Sequence, residues 1–359
     1  WRHHNWMWPR HTGDFSIFRV YAGKDNRPAE YSPENVPYKA EKWLNISLKG
    51  VEVGGRRMIM GIPGSTERYK TSHEIDYMLE VDNPQRIYIR GERQQILRKF
   101  MDEDQAVRIK YDAKYAQSAN YWKNSIGMSR GIEKLNVRAK KAKQEAEFQA
   151  WAEKNTLPEE RFVDALSLIE RSQTEARKEN ATIQYLSEAF MQSVELVQTV
   201  LGVRDFEQFY KDYDATADRA VAKRMFQIYR ENNELLPSIY AKIDSEFGGD
   251  SDKYVDWLYD NSKLTTYEDF LAVASLSAEE QTAVFTNDPV TELATSIINL
   301  YRELVPAVQN TSALYNEGHR LYIKGLMMMQ PDKAWASDAN FTIRLTYGNV
   351  LPYSPADGI

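Results

Sequence analysis

At 359 residues the chain is too long for one ordinary small domain, and 42% hydrophobic with 27% charged residues is the profile of a globular protein able to bury a large core. A net charge of -6 provides no globally basic surface and argues against a nucleic-acid partner, while zero cysteines exclude disulfides, thiolate zinc sites and a cysteine nucleophile. No apolar run approaches the length of a membrane span, and no signal peptide is visible.

The chain opens Trp1-Arg2-His3-His4 rather than with Met, inside aromatic-rich sequence that calls for burial, which reads as a fragment or an internally cleaved product. In "NWMWPRHTGDFSIFRVY", positions 5 to 21, Asp14 sits between a glycine and an alternating apolar run. Two readings stand: a turn aspartate, since Gly-Asp pairs make turns for conformational reasons, or a carboxylate that orients a catalytic histidine. Strand signals run from about 15 to 64, in "FSIFRVYAG", in "WLNISLKGVEVGG" at 43 to 55, and in "RRMIMGIPGST". From about 71 to 333 apolar residues recur at three- and four-residue spacing, as in "YLSEAFMQSVELVQTVL" and "ATSIINLYRELVPAVQ", which predicts helices. "DSDKYVDWLY" and "TTYEDFLAVASLSAEEQ" add acidic first turns behind Ser, Thr or Asp caps. From 340, "NFTIRLTYGNVLPYS" returns to strand alternation, with Thr342, Arg344 and Thr346 on one face and Phe341, Ile343, Leu345 and Tyr347 on the other. Strands at both ends with helices between them predict an α+β, mostly helical fold: one β domain interrupted by a helical insertion. So few strands would leave sheet edges unpaired, so both ends read as parts of a larger β structure.

Several motifs offer chemistry. "GMSRG", Gly127 to Gly131, matches the G-x-S-x-G nucleophile elbow around Ser129, but the strand such an elbow needs is missing, and a glycine-softened break between helices is the better reading. His3, His4 and His11 with Asp14 lack any spacing that pins metal ligands together. "RAKKAKQ", 138 to 144, is balanced by "EAEFQAWAEK" and reads as a solvated helix face, and "GIPGSTERY" lacks the Gly-Lys-Ser/Thr of a phosphate loop. Met327, Met328 and Met329 read most simply as packing.

"NWMWPRHTGDFSIFRVYAG", "GIPGSTERY", "SANYWKNSIGMSRGIEKLNV" and "DANFTIRLTYGNV", in this order, resemble the bacterial serine dipeptidyl-peptidase family of types 7 and 11, over nearly the whole chain. The resemblance implies a chymotrypsin-like double β-barrel carrying a His-Asp-Ser triad, with a large helical domain inserted to cap the cleft. On this chain it implies barrel segments at 1–70 and 336–359 and a helical cap at 71–335. It places the triad aspartate at Asp14 and puts Asn5, Trp6 and Asn120 around the free amino terminus of a peptide substrate, where amide oxygens and an indole face can receive an ammonium taken out of water. It implies no cofactor, export to the periplasm or beyond, and a homodimeric parent.

None of His3, His4, His11, His73 or His319 stands in the family's histidine motif, and no serine stands in its nucleophile motif. The expectation is therefore an internal fragment of a dipeptidyl aminopeptidase, inactive without complementary segments that carry the histidine and serine. The other readings are a non-enzymatic helical interaction module and a self-contained hydrolase using Ser129.

Overall fold

The structure, a computed structural model, describes residues 17–155, 157 and 159–352. The chain divides into two compact units, Trp1–Arg68 with Ser337–Ile359, and Tyr69–Ala336.

In the first unit, β1 (Tyr21–Ala22) pairs antiparallel with β2 (Val36–Pro37), and β3 (Arg56–Gly61) with β4 (Arg344–Asn349). The longer ladder sets Arg56 opposite Asn349 and Gly61 opposite Arg344. Gly54, at a φ of +84°, makes the left-handed turn that delivers the chain into β3, a conformation glycine adopts without a steric penalty. Side chains alternate across the ladder, and apolar ones point from both faces: Met58, Ile59, Met60, Leu345 and Tyr347 are all exposed. The expected strand at 43–55 does not form, and Leu44, Ile46, Leu48, Val51 and Val53 stand in solvent. Alternation dictates which way side chains point, but a strand also needs a neighbour for its amides and carbonyls. The expected strand from 340 begins only at Arg344, because Phe341 takes a φ of +63° and breaks the extended run. Asp338 ties the outgoing and returning chain together: its Oδ1 accepts the Thr66 hydroxyl at 2.6 Å and the Arg68 amide at 2.9 Å, while the Ala339 amide donates to Thr66 Oγ1.

The second unit is helical. Its first helix, α1 (Ser72–Tyr77), starts with a capping box in which the Glu74 carboxylate accepts the Thr71 amide at 2.8 Å. A π turn, Met78–Asp82, then leads into α2 (Asn83–Glu103), whose Pro84 has no amide to continue an ordinary ladder. Asp104, extended, links α2 to α3 (Gln105–Lys134) and caps it by accepting the Ala106 amide. The break expected at Gly127–Gly131 is absent: α3 runs through it without interruption, since isolated glycines weaken a helix by only about 1 kcal/mol each. Asn136, in the left-handed region that asparagine tolerates, turns the chain into α4 (Val137–Ala152).

Further helices follow: α5 (Ala165–Thr174), α6 (Arg177–Leu186) with a π turn at Ser187–Met191, α7 (Glu195–Leu201), α8 (Phe206–Lys211) and α9 (Ala215–Asn232). Then come α10 (Ile239–Glu246), α11 (Ser251–Asn261), α12 (Tyr267–Ala274), α13 (Ala278–Thr286) and α14 (Pro289–Met329). The caps read from sequence are made: Asp250, Thr266 and Ser277 each accept a first-turn amide. At 1.5 Å per residue α14 is about 60 Å long. Its apolar stripe serves two cores. Val290, Leu293, Ala294, Ile297 and Leu304 join the larger, built around Phe190, Phe226, Tyr229 and Tyr254, while Leu321, Tyr322 and Leu326 join the smaller with Phe148, Phe162 and Ile169. The methionine run at its end packs only in part: Met329 lies against the smaller core, but Met327 and Met328 are exposed.

The approach of α14 to α5 depends on Gly318, where an added Cβ would stand 2.8 Å from Ile169 Cγ1 and 3.0 Å from the Ala165 carbonyl oxygen and Ile169 nitrogen. Backbone cannot step aside as a side-chain tip can. Gly318→Ala is expected to destabilise the protein by about 1–3 kcal/mol, overpacking outweighing the gain in helix propensity. Gly131→Ala, on α3 with nothing within 4 Å of the new methyl, is expected to stabilise it by up to about 1 kcal/mol. Paired urea titrations check both signs, and equal shifts would remove the steric account.

Candidate functional site

Of the residues expected to carry function, Asp14, Asn5 and Trp6 lie outside the described residues, as do His3, His4 and His11. Asn120 is described: it is exposed on α3, beside Tyr121 and one turn from Gln117. Ser129 lies on the same helix, where its hydroxyl accepts the Asn83 amide at 3.0 Å, and helical backbone there cannot form the strained turn of a nucleophile elbow. His319 Nε2 stands 3.0 Å from Glu74 Oε2, and its ring lies against Tyr315. Burial pushes the Glu74 carboxyl up, but His319 and the Thr71 amide and hydroxyl outweigh it and hold it below the usual range. This pair belongs to the start of α1. His73 faces Glu170 at 3.8 Å, at the surface.

Concave space with concentrated charge occurs elsewhere on α3. Arg86, Arg90 and Arg93 recur at four- and three-residue spacing on α2, so they share one stripe. The single-residue link at Asp104 folds α3 back against α2, bringing Lys114, Gln117, Ser118 and Tyr121 beside that stripe. Glu188, in the π turn after α6, and Glu195, first residue of α7, form the facing wall, and Asp205, Gln208 and Asp212 at α8 form the rim. Together these residues enclose a cleft of about 750 Å³.

Its ion pairs are shared. Glu188 accepts Arg90 Nε at 2.7 Å and Nη2 at 3.2 Å, a two-pronged pair, and also Arg86 Nε at 3.2 Å. Glu195 accepts Lys114 Nζ, and Arg93 Nη2 comes no nearer to it than 3.9 Å. Behind Glu195 lies the buried Asp218, which accepts the Glu195 amide at 2.7 Å, the Leu196 amide at 2.9 Å and the Tyr259 hydroxyl at 2.7 Å. Burial and the Glu195 charge push the Asp218 carboxyl up to about 6, with Tyr259 and the two amides pulling back. Burial draws the Arg93 guanidinium below its ordinary range, against the opposing pull of Glu195 and Asp218. The Arg90 guanidinium lies 4.9 Å from the centre of the Tyr121 ring.

The residues lining the cleft include no histidine, and the Ser118 hydroxyl there has no hydrogen-bond partner. The arrangement concentrates paired charge in a concave space, and no serine–histidine pair of the kind that activates a nucleophile lines it. Sequence reasoning missed it, although "RIYIRGER" displays the arginine stripe, because partners some hundred positions away cannot be read from a local pattern. Among the described residues no helix is long and apolar enough to cross a membrane.

Comparison with known proteins connects both units to peptidases. The Peptidase S46 family profile matches residues 1–208 and 201–359. The chain is 41% identical over 372 residues to dipeptidyl-peptidase 7 of Porphyromonas gingivalis, covering 99% of this chain and 52% of that protein. It is 34% identical over 383 residues to the Asp/Glu-specific dipeptidyl-peptidase of the same organism, again covering 99% and 52%. A crystal structure of Porphyromonas endodontalis DPP11 in complex with the dipeptide Arg-Glu aligns with a TM-score of 0.81 at 30% identity, covering 99% of this chain and 54% of that one. The chain thus spans about half the length of the relatives it matches.

Proposed function

Because this chain belongs to the peptidase S46 family, we propose that it serves a serine-type dipeptidyl aminopeptidase, which releases dipeptides from the free amino terminus of peptides. The observation that carries this reading is a family match running through both the strand-bearing and the helical unit. In this reading Asp14 is the aspartate of a His-Asp-Ser triad, and Asn5, Trp6 and Asn120 surround the substrate's ammonium group. The β3–β4 ladder belongs to a chymotrypsin-like barrel. Its apolar side chains on both faces support this, since a two-stranded ribbon needs further strands or a packing layer to be stable. The whole protein is exported to the periplasm or beyond and forms a homodimer.

Asn120 gives the direct test of the amine site. In the full-length enzyme, Asn120→Ala is expected to lower kcat/KM for peptides with a free amino terminus by an amount equivalent to about 1.5–3 kcal/mol, the usual worth of a hydrogen bond to a charged group. Amine-blocked peptides should remain poor substrates of both proteins. An unchanged kcat/KM would remove Asn120 from the site.

A further inference from the structure

The charges on the inner wall of the α2–α3 cleft do not balance. Arg86, Arg90, Arg93 and Lys114 face two carboxylates, Glu188 and Glu195, each already shared between two of the cations, and even with Asp218 buried behind Glu195 four cations stand against three carboxylates. At the rim, Arg204 stands with Asp205 and Asp212, whose oxygens are engaged by the Gln208 amide at the start of α8 and by the Gln208 side chain. The surplus positive charge therefore sits inside, in a chain whose net charge is -6.

Two buried polar groups are left over in the same place. The Arg93 side chain is 8% exposed, its Nε finds no acceptor, and its closest carboxylate oxygen lies beyond hydrogen-bond reach. The Ser118 hydroxyl likewise has no partner. Burying a guanidinium beside carboxylates that it does not reach with a hydrogen bond is costly, and an anion placed before it would offset part of that cost. Planar guanidinium forks suit oxyanions, and Gln117 and Gln192 add neutral side-chain amides along the walls.

We propose that this cleft binds a small multivalent oxyanion, held by Arg86, Arg90 and Lys114, with Arg93 setting the positive potential behind them. The volume of about 750 Å³ is that of a small-molecule site. The oxyanion is carried either by a phosphoryl group or by a pair of carboxylates, chemistries that the same guanidinium forks accept.

Isothermal titration of the protein with sodium phosphate and with sodium succinate, at an ionic strength fixed with chloride, tests this. Saturable binding of at least one of them is expected; tighter phosphate binding assigns the phosphoryl source, and tighter succinate binding the carboxylate source. Arg86→Gln, which leaves Glu188 paired with Arg90, should weaken the binding at least fivefold, and Arg86→Lys should weaken it less. Gln117→Glu, at an exposed position on the cleft wall, puts a negative charge at the mouth without touching an ion pair, and should also weaken it several-fold. No saturable heat with either anion, or unchanged affinity in a folded Gln117→Glu protein, would overturn the proposal.

Discussion

Replacing Asp14 with asparagine in the full-length enzyme is expected to lower the turnover number about ten-thousandfold while the protein still folds. In a serine triad the aspartate accepts an imidazole N–H, fixes the tautomer that lets the other ring nitrogen take the serine proton, and stabilises the imidazolium formed in the transition state. Asparagine keeps the shape but presents a donor as readily as an acceptor, so it favours the wrong tautomer and removes the charge. The loss corresponds to roughly 5.4 kcal/mol of transition-state stabilisation. A turn aspartate behaves in the opposite way, because asparagine serves a turn about as well and activity should hardly change. Turnover and melting temperature measured on one preparation separate the two. Near-normal turnover in a folded Asp14→Asn protein would return the residue to the turn.

The second large effect is on stability. Asp218 is buried, and its carboxylate accepts two backbone amides at the start of α7, the Tyr259 hydroxyl and, at 3.3 Å, the Tyr213 hydroxyl. Asp218→Ala strands these donors away from water. At about 1–3 kcal/mol for each donor left without a partner, and with part of the loss recovered by relaxation, the expected destabilisation is about 4 kcal/mol. The carboxyl is raised in the folded protein, so its contribution to stability is full below the unfolded value near 4 and is lost as pH rises through about 6. Wild-type protein should therefore lose stability between about pH 4 and 6 through this group, and Asp218→Asn should flatten that part of the profile. Urea midpoints across this range measure both effects. A loss below about 1 kcal/mol in Asp218→Ala would mean that the α7 amides find other acceptors.

The helical unit was legible where the signal is local. Asp250, Thr266 and Ser277 precede acidic first turns in the sequence and cap helices in the structure, and the three- and four-residue spacing along "ATSIINLYRELVPAVQ" lies within α14. Context defeated the local reading at three places. Gly127 and Gly131 suggested a break, but α3 packs along α2 for much of its length, and tertiary contact overrides the weak preference of two glycines. Alternation at 43–55 suggested a strand where, among the described residues, only the Gly54–Gly55 end meets a partner, Val350, and residues 43–53 join no ladder. The charged cleft went unseen because Glu188 and Glu195 meet α2 and α3 only after the chain has folded. The residues assigned to the amine site and the triad came from a resemblance over long motifs, and of these the structure describes Asn120 alone.

The contact between Asp338 and Thr66 has a topological consequence. The chain leaves the strand-bearing unit and re-enters it through residues within 2.6 Å of each other, so the intervening segment spans no distance in its host. The closure entropy of such an excursion grows only with the logarithm of its length, each doubling costing about 0.6 kcal/mol. The excursion closes on its own side too, where the Tyr69 hydroxyl donates to the Ala336 carbonyl and the Tyr69 and Trp335 rings lie 6.1 Å apart. The helical segment is thus a cassette with adjoining ends. Such a segment can be lengthened, shortened or exchanged without shifting the register of Arg56 against Asn349, so the strands it interrupts keep their pairing.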